Sequence, residues 1–453
     1  MRFVSSVALA TSLAVASVNA SFIKERSPSR NIPAIVDPVL KNFGFDSSDI
    51  QTIAKPNAAD RGPVNSFWSS WLQWRLKYEL TSHPAPQSAA FESWKTFKAN
   101  GVNLGAWMEI EITYAPGVIP DAYVDEWTWC EAVGTDVCGP VLEAHYASYI
   151  TTKDIDKVAK YGVNTLRIAM TYAAFYAVPG SKLYTGNQLK YVSKVAEYAI
   201  NTYGMHVVLG LHSLPGGVND LEIGEASGHL NWWYNSTNYD ASLTVVSKLL
   251  DFIEASPNSA AYTVSPINEP CDNPEYLFTT TAISYPDGVN YINSYYRAIY
   301  QMMQDRAMGN TLMLSDAYMG TSYWAPFWPA DSNIAFDTHK YYFEPTGITG
   351  YDIPTLACAA AKNATTSFPV FVGEFAAMAT ENNTLAERAQ IVQTEIYAWS
   401  KYLSGGTFWN LKYGGNATAA GEGSAADYWA YENLIDGGAL NLGGVLTHVY
   451  KDC

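Results

Sequence analysis

The sequence predicts an α/β chain folded as a closed (β/α)8 barrel, a TIM barrel, with an N-terminal extension. Three observations lead there. From about residue 100, eight short runs rich in β-branched, apolar and aromatic residues alternate with longer amphipathic stretches, the pattern of parallel strands joined by helical crossovers. The eight units fill roughly 350 residues, which suits one barrel with insertions, and no G-x-G-x-x-G turn follows the first strand as a doubly wound sheet would usually require. Finally, residues capable of chemistry recur at the C-terminal ends of the runs, where such barrels build their active sites.

Taken in order, Met1–Ala20 carries one Arg, an apolar run and small residues ending Val18-Asn19-Ala20. That make-up marks a secretory signal peptide (residues 1–20) cut after Ala20. The apolar run is too short and Ser-interrupted for a retained anchor, and no later stretch is long and apolar enough to span a bilayer. Residues 21–95 read as an N-terminal extension packed on the barrel, with one clear helix at Ser66–Glu79 carrying Trp68, Trp71 and Trp74 at three-residue spacing. The catalytic barrel is expected over 96–453. Its strands are expected at Val102–Trp107, Thr165–Met170, His206–His212, Tyr262–Ile267, Thr311–Asp316, Asn333–His339, Val370–Phe375 and Thr407–Leu411. Helical patterns fall at Thr152–Tyr161, Gln188–Tyr203, Ala241–Ala255, Tyr291–Ala307 and Ala386–Tyr402.

Composition narrows the function. With 27 basic against 43 acidic side chains the formal charge is −16, so nucleic acid and anionic membrane surfaces are repelled rather than bound. Hydrophobic content of 48% with 15% charged residues describes an ordinary globular chain. The 32 Tyr, 17 Phe and 14 Trp fit either a large core or carbohydrate binding, since flat rings pack on the apolar faces of sugars. Of five cysteines, the expected pairs are Cys130–Cys138, closing a short Gly-containing loop, and Cys358–Cys453, tying the C-terminus to the body. Cys271 is left as a buried free thiol. N-x-S/T acceptors stand at Asn235, Asn363, Asn382 and Asn416, which in a secreted chain mark surface loops.

The chemistry is expected at the barrel mouth. Arg167 lies on strand two, His212 ends strand three, Asn268-Glu269 follows strand four, His339 and Tyr341 end strand six, Glu374 ends strand seven and Trp409 lies on strand eight. Either glutamate alone would read as a solvated strand-end carboxylate. As a pair on strands four and seven they supply what glycoside hydrolysis needs, a proton donor for the leaving oxygen and a second carboxylate that attacks or stabilises the sugar cation. A metal held by Glu269, Glu374, His212 and His339 is the competing account, but no H-x-x-x-H or H-x-H pair supports it. An aromatic cluster at Tyr318, Tyr323, Trp324, Phe327 and Trp328 reads as a leaving-group subsite or as loop packing, and Trp232 and Trp233 carry the same two readings.

These segments together resemble glycoside hydrolase family 5, in the branch of exo-β-1,3-glucanases and rutinosidase-type diglycosidases. The resemblance runs from about Gly101 to the C-terminus through Asn103-Leu104-Gly105 leading to Glu111, Val124-Asp125-Glu126-Trp127, Leu166-Arg167-Ile168, Leu211-His212, Asn268-Glu269-Pro270, Asp337-Thr338-His339-Lys340-Tyr341, Gly373-Glu374-Phe375 and Thr407-Phe408-Trp409. It implies a retaining mechanism with Glu269 as acid/base and Glu374 as nucleophile. Arg167 would keep Glu374 ionised, and Asn268 would bond the sugar 2-hydroxyl. His212, His339 and Tyr341 would orient carboxylates and sugar over a Trp409 floor. Glu111 is expected to bind substrate with them.

The loop after strand three departs from the exo-glucanase pattern. It reads Gly216-Gly217-Val218-Asn219-Asp220-Leu221-Glu222-Ile223-Gly224, so Asn219 is kept while Glu222-Ile223 stands where the family has Asp-Asn. Asn219 and Glu222 thus line an altered wall that could admit a 6-linked substituent on the glucose. The expectation is a secreted, monomer-capable retaining β-glycosidase of the exo-β-1,3-glucanase (glucan 1,3-β-glucosidase) type, using no metal or organic cofactor, with a rutinosidase-type diglycosidase that cleaves 6-O-glycosylated β-glucosides as the alternative. An inactive carbohydrate-binding or wall-structural protein is the alternative from another class.

Overall fold

The computed structural model describes residues 93–344 and 346–453. The expected signal peptide, the Ser66–Glu79 helix and nearly all of the 21–95 extension lie outside these residues. Eight parallel strands form a closed barrel in chain order: β1 Ala99–Asn103, β2 Thr165–Met170, β3 His206–Leu211, β4 Tyr262–Ser265, β5 Leu312–Ser315, β6 Ile334–Tyr342, β7 Val370–Ala379 and β8 Gly405–Phe408. The barrel closes where Val102 pairs with Phe408. Helices of two turns or more are α1 Glu126–Val133, α2 Thr135–Ser148, α3 Thr152–Ala159, α4 Gln188–Tyr203, α5 Ser236–Ala255, α6 Asp287–Asp305, α7 Ile353–Asn363 and α8 Arg388–Tyr402.

Strand two and helix α4 match the expected bounds, and three corrections concern the rest. The first strand is Ala99–Asn103 rather than Val102–Trp107. Leu104, Trp107 and Met108 are fully buried, but Ala106 has φ of 55°, a left-handed turn that no strand can carry. The chain there is a buried turn beyond the strand end, after which Met108 makes an isolated parallel bridge to Met170. The last strand likewise ends at Phe408, leaving Trp409 just beyond it, and β6 and β7 run past His339 and Phe375. Helices α1, α2 and α7 were not foreseen. Helix α2 buries Cys138, Gly139, Val141, Leu142, Glu143, Ala144, His145 and Tyr146 in near succession, so it has no apolar stripe to reveal its period.

The disulfides Cys130–Cys138 and Cys358–Cys453 form. The first does not close a loop: it links α1 to α2 across Gly134, whose φ of 80° reverses the chain. Cys271 is free and buried, and burial pushes its thiol up to about 11, which suits an inert side chain. At the barrel base, Trp94 packs with Val208, Met313, Ala335 and Phe371 and donates from Nε1 to Thr263 Oγ1 at 2.8 Å. Among the described residues no helix is long and apolar enough to cross a membrane. Asn363, Asn382 and Asn416 are exposed, whereas Asn235 caps α5 by accepting from Asn238 N at 3.2 Å.

Candidate active site

Inward positions alternate along each strand, so residues two apart share the barrel interior. On β6, Ala335 belongs to the base layer, and Asp337, His339 and Tyr341 follow it upward on the same face. On β7, Phe371 is also in the base layer, and strict alternation would turn Glu374 outward. A register shift prevents this: Thr338 pairs with Val372, but His339 pairs with Glu374. The residue bulged out is Gly373. A bulge re-aims the next side chain, and here it brings Glu374 to the inner face beside His339. Glycine also provides the space, because a Cβ on Gly373 would lie 2.0 Å from Asp337 Oδ1.

Arg167, fully buried on β2, lies at the centre of the resulting cluster. It donates from Nη1 to Glu374 Oε1 at 2.7 Å and to Asn103 Oδ1 at 2.9 Å, and from Nη2 to Asn268 Oδ1 at 2.8 Å. Asp337 Oδ2 is 3.5 Å from the same Nη2. Tyr341 donates to the other oxygen of Glu374, Oε2, at 2.7 Å. Glu269 sits four residues past β4 with φ of 44°, a left-handed conformation that costs a side-chain-bearing residue about 1–3 kcal/mol and persists only where its surroundings impose it. His339 donates from Nδ1 to Glu269 Oε1 at 2.6 Å, and the Tyr318 hydroxyl donates to the same oxygen.

Burial pulls His339 down, but the Glu374 and Asp337 carboxylates outweigh it and leave the ring raised to about 10, so it is an imidazolium. For Glu374, burial raises the carboxyl and Glu269 adds to the rise; His339, Arg167 and the Tyr341 hydroxyl pull it back only in part, so the net direction is upward. His212, pushed well below its ordinary value by burial and by Arg167 and His339, is neutral.

One oxygen of Glu269, one of Glu374 and a His339 ring nitrogen lie within 4.8 Å of one another. This trio could in principle hold a cation, but the Arg167 charge and the Tyr341 hydroxyl already engage both oxygens of Glu374. His212 is not part of it. Its Nδ1 lies 3.1 Å from Glu109 Oε2, and its ring stacks on Trp409 with centroids 5.8 Å apart. Trp409 in turn lies flat over Gly105, where a Cβ would come within 2.5 Å of the indole.

The wall beyond β1 and β3 is acidic. Burial raises Glu109 and Glu111 well above the carboxylate range, reinforced for each by the other acids, and burial also raises Glu222. Asn219 is buried with Oδ1 accepting from Leu221 N at 3.3 Å, and its Nδ2, like that of Asn268, has no hydrogen-bond partner among the described residues.

All eleven expected site residues therefore lie at or around the mouth, though among the described residues Glu111, His212, Asn219, Glu222 and Trp409 form no hydrogen bond or ion pair with the glutamate pair. Reading the sequence missed Glu109 and assigned nothing to Asn103 or Asp337. Asp337 was findable, because it precedes His339 by two on one strand and must share its face; Glu109 lies in a loop without periodicity. The aromatic readings resolve in part. Trp324 and Trp328 are core, as are Trp232 and Trp233, and three of the four indoles are tied down by bonds: Trp324 Nε1 to Asp316 O at 2.8 Å, Trp233 Nε1 to Val218 O at 2.9 Å and Trp232 Nε1 to Ser242 Oγ at 3.2 Å. Tyr318 instead reaches Glu269.

A (β/α)8 barrel with two close carboxylates at its C-terminal mouth, one held by an arginine and a tyrosine and the other by an imidazolium, is a glycosyl hydrolase. The sequence profile of cellulase (glycosyl hydrolase family 5) matches residues 130–415, and the chain belongs to that family. It is similar to a probable glucan 1,3-beta-glucosidase A of Aspergillus niger, 28% identical over 76% of this chain and 78% of that one. It is also similar to glucan 1,3-beta-glucosidase 1 of Schizosaccharomyces pombe, 27% identical over 54% of this chain and 58% of the other. The solved rutinosidase from Aspergillus niger superposes with a TM-score of 0.75 at 42% identity, covering 78% of this chain and all of that one.

Proposed function

We propose that the chain is a secreted retaining β-glycosidase that cleaves β-D-glucosidic bonds, with Glu374 as nucleophile and Glu269 as acid/base. The observation that carries this reading is the placing of the two carboxylates with oxygens within 4.8 Å. Retaining enzymes hold their carboxyl groups about 5–5.5 Å apart, whereas inverting ones leave about 6.5–9.5 Å for a water. In the first step an oxygen of Glu374 bonds to the anomeric carbon, the bond from that carbon to the leaving oxygen breaks, and the proton of Glu269 passes to that oxygen. In the second, Glu269 takes a proton from water, the water oxygen bonds to the anomeric carbon, and the bond to Glu374 breaks.

Arg167 and Tyr341 favour the ionised nucleophile by charge-assisted bonds. Asn268, its carbonyl held by Arg167, turns a free amide toward the sugar 2-hydroxyl. Trp409 is the floor of that subsite, and Glu111, Asn219, Glu222 and His212 form its outer wall. Two disulfides fit an oxidising compartment, and the exposed acceptors Asn363, Asn382 and Asn416 fit glycans on a secreted chain.

For the substrate, the 6-O-glycosylated β-glucoside is the better supported class. A rutinosidase matches at 42% identity over its whole length where the glucan 1,3-beta-glucosidases match at 25–30%, and the wall carrying Glu222 is where this chain leaves the exo-glucanase pattern. The exo-β-1,3-glucanase reading is supported by those glucosidases themselves. Purified protein incubated with rutin and with laminarin separates the two. Release of rutinose as the intact disaccharide supports the first, release of glucose from laminarin supports the second, and cleavage of neither overturns both.

A further inference from the structure

We propose that Tyr318 is a positioning residue for the acid/base: with His339 it holds Glu269 Oε1 as a double acceptor, so that the transferable proton resides on Oε2. The proposal rests on the reading of Glu269 given above and deepens it. Two donors meet on Oε1, the Tyr318 hydroxyl and the Nδ1–H of His339 at 2.6 Å, and neither bond uses Oε2. An oxygen filled by two donors cannot also carry a proton without displacing one of them. The proton therefore sits on Oε2 and leaves from there to the glycosidic oxygen. The negative charge that Glu269 acquires as its proton departs is shared with Oε1, where both donors are already placed to receive it, and such pre-aimed donors strengthen as charge develops.

The backbone is bent to deliver this hydroxyl. Ala317 and Tyr318 are consecutive left-handed residues with φ of 48° and 61°, and neither is glycine. Asp316 Oδ1 accepts from Tyr318 N at 3.0 Å, Trp324 Nε1 fastens Asp316 O, and Phe278 packs edge-on against the Tyr318 ring at 5.2 Å. Strain concentrated at both ends of one hydrogen bond, since Glu269 is itself left-handed, is the kind that persists where it serves a site. Burial, with the Glu269 charge behind it, raises the Tyr318 phenol well above its ordinary range, so the hydroxyl keeps its proton and remains a donor.

Tyr318→Phe keeps the ring and removes only the donor. The readout is kcat/KM on phenyl, 4-nitrophenyl and 2,4-dinitrophenyl β-rutinosides, or the β-glucosides if that glycone is the one cleaved, with a thermal unfolding curve to confirm folding. A positioning role lowers the rate on the phenyl glycoside by about tenfold or more while leaving the dinitrophenyl glycoside nearly unchanged, because only the poor leaving group needs the proton. An equal fall on all three, or no fall on any, overturns the proposal. Glu269→Gln run alongside keeps the two questions apart: if it too shows no dependence on the leaving group, the acid/base reading fails, whereas if it does and Tyr318→Phe does not, only the positioning role fails.

Discussion

Arg167 donates to Glu374 at 2.7 Å between strands β2 and β7, with the guanidinium wholly buried and the carboxylate nearly so. Removing one member of a buried, hydrogen-bonded ion pair leaves the other uncompensated and costs about 3–5 kcal/mol. Arg167→Met is therefore expected to lower thermal stability clearly and to reduce kcat by at least about a hundredfold. Thermal unfolding and steady-state kinetics check both, and wild-type kcat in the variant would contradict the role given to the pair.

Glu374→Ala should lose hydrolysis by several orders of magnitude, since the covalent route goes with it. With azide and an activated aryl glycoside, that variant is expected to form the glycosyl azide of inverted configuration. Glu269→Ala is expected to form the azide of retained configuration, since its covalent intermediate still forms. The anomeric configuration of each product, read by NMR, tests the assignment, and exchanged outcomes would reverse the two roles.

Stability should respond to pH through Glu126, whose buried carboxyl is raised to about 7 by desolvation, partly offset by the backbone N–H of Tyr184. The folded state holds this proton more tightly than the unfolded chain, so the contribution is complete below about 4.5 and is lost as pH rises through about 7. Glu126→Gln removes that dependence. Relative to wild type it is expected to gain up to about 3 kcal/mol between pH 4.5 and 8, since each tenfold difference in proton affinity between the folded and unfolded chain is worth about 1.4 kcal/mol. Urea unfolding at both values measures the difference, and parallel curves for the two proteins would refute it.

Gly105→Ala probes the proposed floor of the sugar subsite. A methyl group there would stand 2.5 Å from the Trp409 indole, and the neighbouring backbone cannot yield easily, because Asn410 bonds both Gly105 N and Gly105 O at 2.9 Å. The ring must tilt. KM is expected to rise about tenfold, equivalent to about 1.4 kcal/mol of lost stacking, with kcat changed less. An unaltered KM would mean that Trp409 does not contact the sugar.

Much of the fold was readable because burial and periodicity report it directly. Thr165–Met170 and Gln188–Tyr203 carry the right period over the right length, and their observed bounds coincide with expectation. Leu104–Met108 misled because the signal for a strand is apolar character, and a buried turn just past the strand end is equally apolar. Helix α2 was missed for the opposite reason, being buried nearly all round.

The amino-acid sequence by itself determined the barrel and its family and pointed to the two glutamates proposed as the catalytic pair, since strand–helix alternation and short polar motifs at strand ends are local properties of the chain. Tertiary structure alone decided how those glutamates face the site. The bulge at Gly373 turns Glu374 inward against the alternation of its own strand, and Tyr318, 49 residues from Glu269, meets it through a left-handed turn. Register shifts and positive φ angles arise from the balance of packing and hydrogen bonding among distant strands, and no window of sequence contains both sides of that balance.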